Sequence, residues 1–413
     1  STKISKRLAR FWIQWPVADE LHNSFLHMAT EKHMIDPKKK YNLFRQNKNF
    51  CVVPWTNFEL YTNGDVRTCS VGRTRLGNVN KTSIHDILGG DKLTSIRQNM
   101  LDNKADKNCG WCVHRTISDN NFSYLRDHYN SRLIDEDIDY LDKNNFDLRF
   151  IDLHWSNICN LRCVMCWPQQ SSLIAKDEKV VTASVNKKNI NMIIDMIKKN
   201  QSNLKEIYLS GGEPFYIPYN TILLEQLENT DIPLRINTNM HWQKNNKLFK
   251  ILCKKFKNVQ LTMSVDALGS KFNYIRNGAN WNRFISNLKY VRDNTNFDIR
   301  VNSIFSVMNA IDVDKVVNFF YHKENIKDIT INILHRPAPI DAKNYPTEKK
   351  AEIIKKLEQC LKTLAKEDTN LINNIKNCIM QIKLPKQENY ISTLDNITKR
   401  HTTKWQEMFK DLV

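Results

Sequence analysis

The 413-residue chain contains no run of eighteen or more apolar residues, so hydropathy offers no membrane-spanning helix. No positively charged, then apolar leader is visible at its start, and neither an internal repeat nor a low-complexity tract interrupts it. The expectation is a cytoplasmic, soluble protein with one large core and a small module beside it. Acidic residues are in deficit, with 44 Asp+Glu against 62 Lys+Arg and a formal charge of +18. Such a surplus points to an acidic partner, nucleic acid being the obvious one. No nucleic-acid motif accompanies it, however, and AT-rich coding would give the same abundance of Asn, Ile and Lys, so nucleic acid is not the favoured partner. The basic run Lys38-Lys39-Lys40 and the acidic run Asp135-Glu136-Asp137-Ile138-Asp139 read as solvated segments, the second within a linker.

The ten cysteines lack the distribution of a secreted disulfide framework. Cys159, Cys163 and Cys166 stand in Ser156-Asn157-Ile158-Cys159-Asn160-Leu161-Arg162-Cys163-Val164-Met165-Cys166, directly after a strand pattern at Phe146 to Leu153. Three thiolates on one short loop can hold a [4Fe-4S] cluster and leave one iron without a protein ligand, open to a small molecule. A structural zinc loop or three unrelated buried thiols are the other readings. Zinc usually takes its ligands in two separated pairs, and this run has no fourth ligand nearby.

This C-x₃-C-x₂-C spacing resembles the signature of the radical S-adenosylmethionine (SAM) enzymes. Membership implies that the open iron chelates SAM, and that reduction cleaves SAM to a 5′-deoxyadenosyl radical. Downstream, the strand pattern Lys205 to Ser210 ends in Gly211-Gly212-Glu213-Pro214. Paired glycines allow close backbone approach, and the carboxylate is a fixed acceptor. The segment resembles the family's second motif, which binds the SAM amino group. Ser264 and Asp266, two apart at the end of a strand, point the same way. They resemble the polar pair that faces the SAM ribose or carboxylate. Arg276 falls where related enzymes set an arginine against that carboxylate, and Asn302 lies on a strand similar to their fifth, inward or outward according to register. The position before the last cysteine, often aromatic in the family, is Met165; Trp167 is the possible substitute, or a core residue.

Strand patterns at about 147–154, 205–210, 233–238, 259–266, 298–305 and 328–334 alternate with helical periodicity at Asn189 to Lys199, Ile222 to Leu227, Leu248 to Phe256, Phe284 to Val291 and Val313 to Phe320. That alternation is a parallel β/α arrangement, and the resemblance implies a partial (β/α)₆ TIM-like barrel with ligands at the C-terminal strand ends.

A second cysteine set precedes it. The Asn63-Gly64 turn predicts a hairpin that returns Cys69 beside Cys51-Val52-Val53-Pro54-Trp55, and Cys109-Gly110-Trp111-Cys112 supplies a close pair. Four thiolates make a closed site, for a cluster or for zinc. With Leu76-Gly77-Asn78-Val79, the block resembles a SPASM/twitch-type module, which implies a second, auxiliary [4Fe-4S] cluster on Cys51, Cys69, Cys109 and Cys112. Cys253, Cys360 and Cys378 fall in helical patterns and read as ordinary buried thiols.

The expected organisation is α/β: an N-terminal helical extension at 1–45, the cysteine-rich α+β module at 46–130, a linker at 131–146, the barrel at 147–340 and a C-terminal helical extension at 341–413. That extension carries helices at about 346–366, 369–383 and 391–411, which cover the core or form a lid. The expected activity is oxidoreductase-type hydrogen-atom abstraction from a peptide or protein side chain, with an electron donor such as flavodoxin or ferredoxin. A nucleoside, sugar or other small metabolite, and then a nucleic acid, are the alternatives, because fold and cofactor do not fix the substrate.

Overall fold

The structure is a computed structural model that describes residues 42–110, 112, 124–134 and 141–413. The expected extension at 1–45 lies outside them for all but its last four residues. Trp111 and the acidic stretch Asp135 to Asp139 also lie outside them.

The short, alternating strands assemble into one nine-stranded sheet in the order β3-β2-β1-β4-β5-β6-β7-β8-β9. β1 (Asn57–Leu60), β2 (Asp65–Arg67) and β3 (Gly77–Asn78) form an antiparallel ribbon. Gly64 takes φ +87° in the β1–β2 turn, a value that side chains with a Cβ rarely adopt. β4 (Phe150–Leu153), β5 (Glu206–Leu209), β6 (Leu234–Thr238), β7 (Val259–Ser264), β8 (Asp298–Phe305) and β9 (Ile329–Ile333) are the six strands read from the sequence, each parallel to the next.

β1 is itself parallel to β4, pairing Asn57 with Phe150 and Leu60 with Leu153. The strands of the cysteine-rich segment therefore continue the barrel sheet. Trp55, fully buried, fixes this seam: its Nε1 donates to the Asp142 carbonyl at 2.6 Å, and its own carbonyl accepts from Asp147 N at 2.8 Å. Residues 141–149 are thus tied down by backbone hydrogen bonds rather than free to act as a spacer.

One face of each barrel strand is apolar and lies under helices, with Ile151, Leu153, Ile207, Leu209, Ile236 and Leu261 essentially inaccessible. The helix Lys187–Lys199 buries Ile190, Ile193, Ile194 and Ile197 on one stripe, as its spacing predicts. Helices Lys350–Leu361 and Thr369–Lys383 cover the far edge, where Asn374 Oδ1 accepts the β9 amide of Ile331 at 2.6 Å. Core cover is their role here. The third expected helix, 391–411, is broken into Ile391–Ile397, a turn at Thr398–Arg400 and Trp405–Met408. Tertiary contacts override its periodicity: His401 stacks on Tyr274 with ring centroids 4.4 Å apart, and Tyr274 donates to the Thr403 carbonyl.

The other strand face is polar. Glu206, at the start of β5, pairs with Arg132 at 2.6 Å and Arg235 at 3.1 Å. Burial works to raise its pKa, but His128, Arg235 and Arg132 outweigh burial and hold it at about 2. Glu206→Gln leaves Arg235 without its partner, so a loss of about 3 kcal/mol is expected in denaturant unfolding at pH 7. A depressed pKa stabilises the fold above the ordinary value of 4.5 and loses that contribution as pH falls toward 2. The difference between wild type and variant should shrink over that window.

Candidate functional site

Leaving β4, the chain runs through Trp155 into the loop that carries Cys159, Cys163 and Cys166. This loop is held at several points along its backbone. Arg162 N and Val164 N donate to the carbonyls of Asn277 and Ile275, both at 2.8 Å, and Ser171 Oγ donates to Leu161 O at 2.8 Å. Asn160 bridges to the β6 end, accepting from Asn239 Nδ2 at 2.8 Å and donating to His241 O at 2.9 Å.

Gly211 and Gly212 explain themselves against this loop. Gly212 N donates to Ser156 O at 3.1 Å and Glu213 N to Ile158 O at 2.7 Å. A Cβ on Gly212 would sit 2.1 Å from Ile158 O, and one on Gly211, which has φ +106°, 2.8 Å from Ser156 O. The close approach that these glycines permit is between the strand end and the cysteine loop itself. Glu213 is buried; its carboxylate accepts from Thr238 Oγ1 at 2.8 Å and from Asn239 N at 2.7 Å. Burial nevertheless pushes it up to about 7. Thr238 and Asn239 therefore belong to this site too. Only their position at a strand end marked them in the sequence.

The three thiols lie close enough to repel one another as thiolates. Burial, then the Cys163 charge, raises Cys159; burial and Cys163 push Cys166 up to about 12. Burial also raises Cys163, against the pull of Arg276, whose Nη1 lies 3.9 Å from Cys163 Sγ. Arg276 in turn pairs with Asp266 at 2.9 Å, both nearly inaccessible. Asp266 also accepts from Ile304 N at 2.8 Å, so it orients Arg276 and ties the β7 end to β8. Ser264 and Asn302 face each other across the β7–β8 pairing, both half-buried, and Asn302 Oδ1 accepts from Asn332 Nδ2 at 2.7 Å. Met165 packs against the core, whereas Trp167 is 51% exposed and is not a core residue.

The second set gathers as the hairpin predicts. Cys51, Cys69, Cys109 and Cys112 line one pocket with Val53, Pro54, Met100 and Arg126. Burial and neighbouring thiols raise Cys51 strongly, and push Cys69 and Cys109 each up to about 12. Clustered, buried thiols become ligands only when a cationic centre offsets their charge, and both sets have that character. Among the described residues, no three His, Cys, Asp or Glu side chains are grouped tightly enough to hold a single metal ion. Cys360 and Cys378 are buried in helices, as expected of structural thiols, whereas Cys253 is exposed.

Family models decide the relationship. The radical SAM superfamily model matches residues 153–319, and an iron-sulfur cluster-binding (SPASM) domain model matches residues 51–113. The chain carries a radical SAM domain. Its cofactors are those of the two domains: a [4Fe-4S] cluster with SAM, and auxiliary iron-sulfur binding. No curated protein matches the chain significantly.

Solved structures to which the chain is similar include native anSMEcpe with bound AdoMet, at 14% identity and a TM-score of 0.38, covering 51% of this chain and 59% of that one. Streptococcus suis SuiB bound to S-adenosylmethionine is 20% identical with a TM-score of 0.39, covering 66% of this chain and 60% of that one. SuiB bound to precursor peptide SuiA gives 19%, 0.36, 60% and 54%. The chain thus spans well under two thirds of the length of these proteins. Among the described residues, no helix is long and apolar enough to cross a membrane.

The seating of Gly212 on the loop gives a direct test. Gly212→Ala must displace the Ile158 carbonyl, and with it the backbone next to Cys159. Reconstituted variant protein should lose the iron of the three-thiol site, about four per chain, and keep that of the four-thiol pocket. Iron analysis and the visible spectrum read the outcome.

Proposed function

We propose that the chain is a SAM-cleaving oxidoreductase that abstracts a hydrogen atom from a peptide or protein side chain. The observation that supports it is the three-thiol loop clasped between the Gly211-Gly212 strand end and Arg276. When bound there, a [4Fe-4S] cluster supplies an electron and an open iron for SAM.

In this reading Cys159, Cys163 and Cys166 hold the cluster. Gly211, Gly212 and Glu213 form the ledge for the SAM amino group, and Glu213 is kept rigid by Thr238 and Asn239. Ser264 and Asn302 offer half-buried polar groups to the ribose and carboxylate. Arg276 contributes positive charge beside Cys163, positioned by Asp266. Cys51, Cys69, Cys109 and Cys112 hold one auxiliary cluster. The combination of the two thiol sets favours a peptide side chain, because enzymes that the chain resembles commonly join them for that purpose. A flavodoxin or ferredoxin serves as donor.

Anaerobic reconstitution should load about eight irons per chain, and reduction should release 5′-deoxyadenosine from SAM. Replacing Cys159, Cys163 and Cys166 by Ala should leave about four irons and no cleavage. Cleavage that survives the triple substitution would end this reading. A colourless triple variant with stoichiometric zinc would instead make the N-terminal site structural.

The auxiliary site has its own test. Cys109→Ala with Cys112→Ala should leave SAM cleavage measurable, because the barrel carries its own cluster, while conversion of the true substrate falls by orders of magnitude. Wild-type conversion in a folded double variant would show that the pocket only staples the fold.

A further inference from the structure

The parallel pairing of β1 with β4 sets Glu59 directly beside Asp152. Both carboxyls lie on the polar face of the sheet, 1% and 4% exposed. Their neighbour Glu206 pairs with Arg132 and Arg235, and Arg235 acts on Asp152 only as a nearby charge. Glu59 is left with Tyr61, whose hydroxyl donates to Oε2 at 2.9 Å, and with His154, whose Nε2 lies 3.2 Å from Oε1.

Adjacent carboxyls out of water cannot both ionise without a cation between them. Burial, then the Asp152 charge, pushes Glu59 up to about 8, against the Tyr61 hydrogen bond and the more distant Arg67. Burial pushes Asp152 up to about 7, with Arg235 pulling it down and Glu206 pushing it up. Tyr129 and Tyr208 also face Asp152, and both stay protonated at neutral pH because burial raises them. Burial and Arg235 lower His154 to about 4, so its ring is neutral and can accept a proton.

His154 also leads outward. Ser210 Oγ is 2.9 Å from its ring nitrogens, and Ser210 immediately precedes Gly211 at the strand end where the SAM site is proposed. Exchangeable groups therefore run from the reaction edge through Ser210 and His154 to Glu59 and Asp152.

We propose that Glu59 and Asp152 form a carboxyl pair beneath the strand ends that holds one proton at rest and, reached through Ser210 and His154, takes up a second one, the proton a substrate sheds on two-electron oxidation. The inference rests on the function proposed above. In that reaction one substrate hydrogen leaves as an atom, forming the new C–H bond of 5′-deoxyadenosine. The remaining electron passes to an iron-sulfur oxidant, for which the four-thiol pocket is the candidate. The second hydrogen leaves as a proton, and the carboxyl pair receives it.

Infrared titration of the reconstituted protein tests the pair without any substrate. Wild type should keep a protonated-carboxyl C=O band up to about neutral pH, well above the ordinary carboxylic range. Asp152→Asn removes the neighbouring charge, so the Glu59 midpoint should fall by about one unit or more; Glu59→Gln removes a group that is still protonated while Asp152 titrates, so the Asp152 midpoint should stay in place. The double variant should lose the pair's share of the band and keep that of Glu213, which burial also pushes up to about 7. A band above about pH 6 no larger in wild type than in the double variant, or a midpoint unmoved in Asp152→Asn, would overturn the proposal. Asp152→Asn decides the matter alone if Glu59→Gln fails to fold. Because the measurement needs neither SAM nor turnover, its failure is separable from failure of the radical chemistry, which iron content and 5′-deoxyadenosine release report.

Discussion

Four residues of backbone pairing, Asn57–Leu60 against Phe150–Leu153, hold the rest of the architecture in place. They add a seventh parallel strand to the barrel sheet and carry the four-thiol pocket to its edge. The same register brings Thr62 within 3.0 Å of the Gln169 carbonyl, in the segment that follows the cysteine loop. A hairpin packed only through side chains would be free to shift; a shared hydrogen-bond ladder fixes it to one register.

That seam also changes the electrostatics of the barrel interior. Without β1, Asp152 would face an open edge and water. With it, Asp152 has a second carboxyl alongside and little access to solvent, while Glu206 on the next strand has drawn in the available arginines. Two acids on adjacent strands thus diverge, one held at about 2 and one pushed up to about 7, through placement of cations rather than any difference in residue type.

The cysteine loop shows a similar economy. Gly211 and Gly212 read in the sequence as room for a ligand, and the same lack of side chains also seats the loop on the end of β5. Asp266 reads as a ligand-facing acid, and it is spent on Arg276 and on the Ile304 amide. Rigidity of this kind is what a site for a reactive intermediate needs, since a loose pocket would admit water and misplace the reacting groups.

The cysteine spacings, the strand–helix alternation and the Asn-Gly turn determined by themselves that two thiol sets would form and that a parallel sheet would carry one of them. These are local patterns, set by side-chain period and by turn geometry. Tertiary structure alone decided that the N-terminal hairpin continues the barrel sheet, that the segment at 391–411 breaks to stack His401 on Tyr274, and that Glu59 and Asp152 lie side by side. Each depends on pairing between residues far apart in the chain, and a register between distant strands leaves no mark in either strand's own sequence.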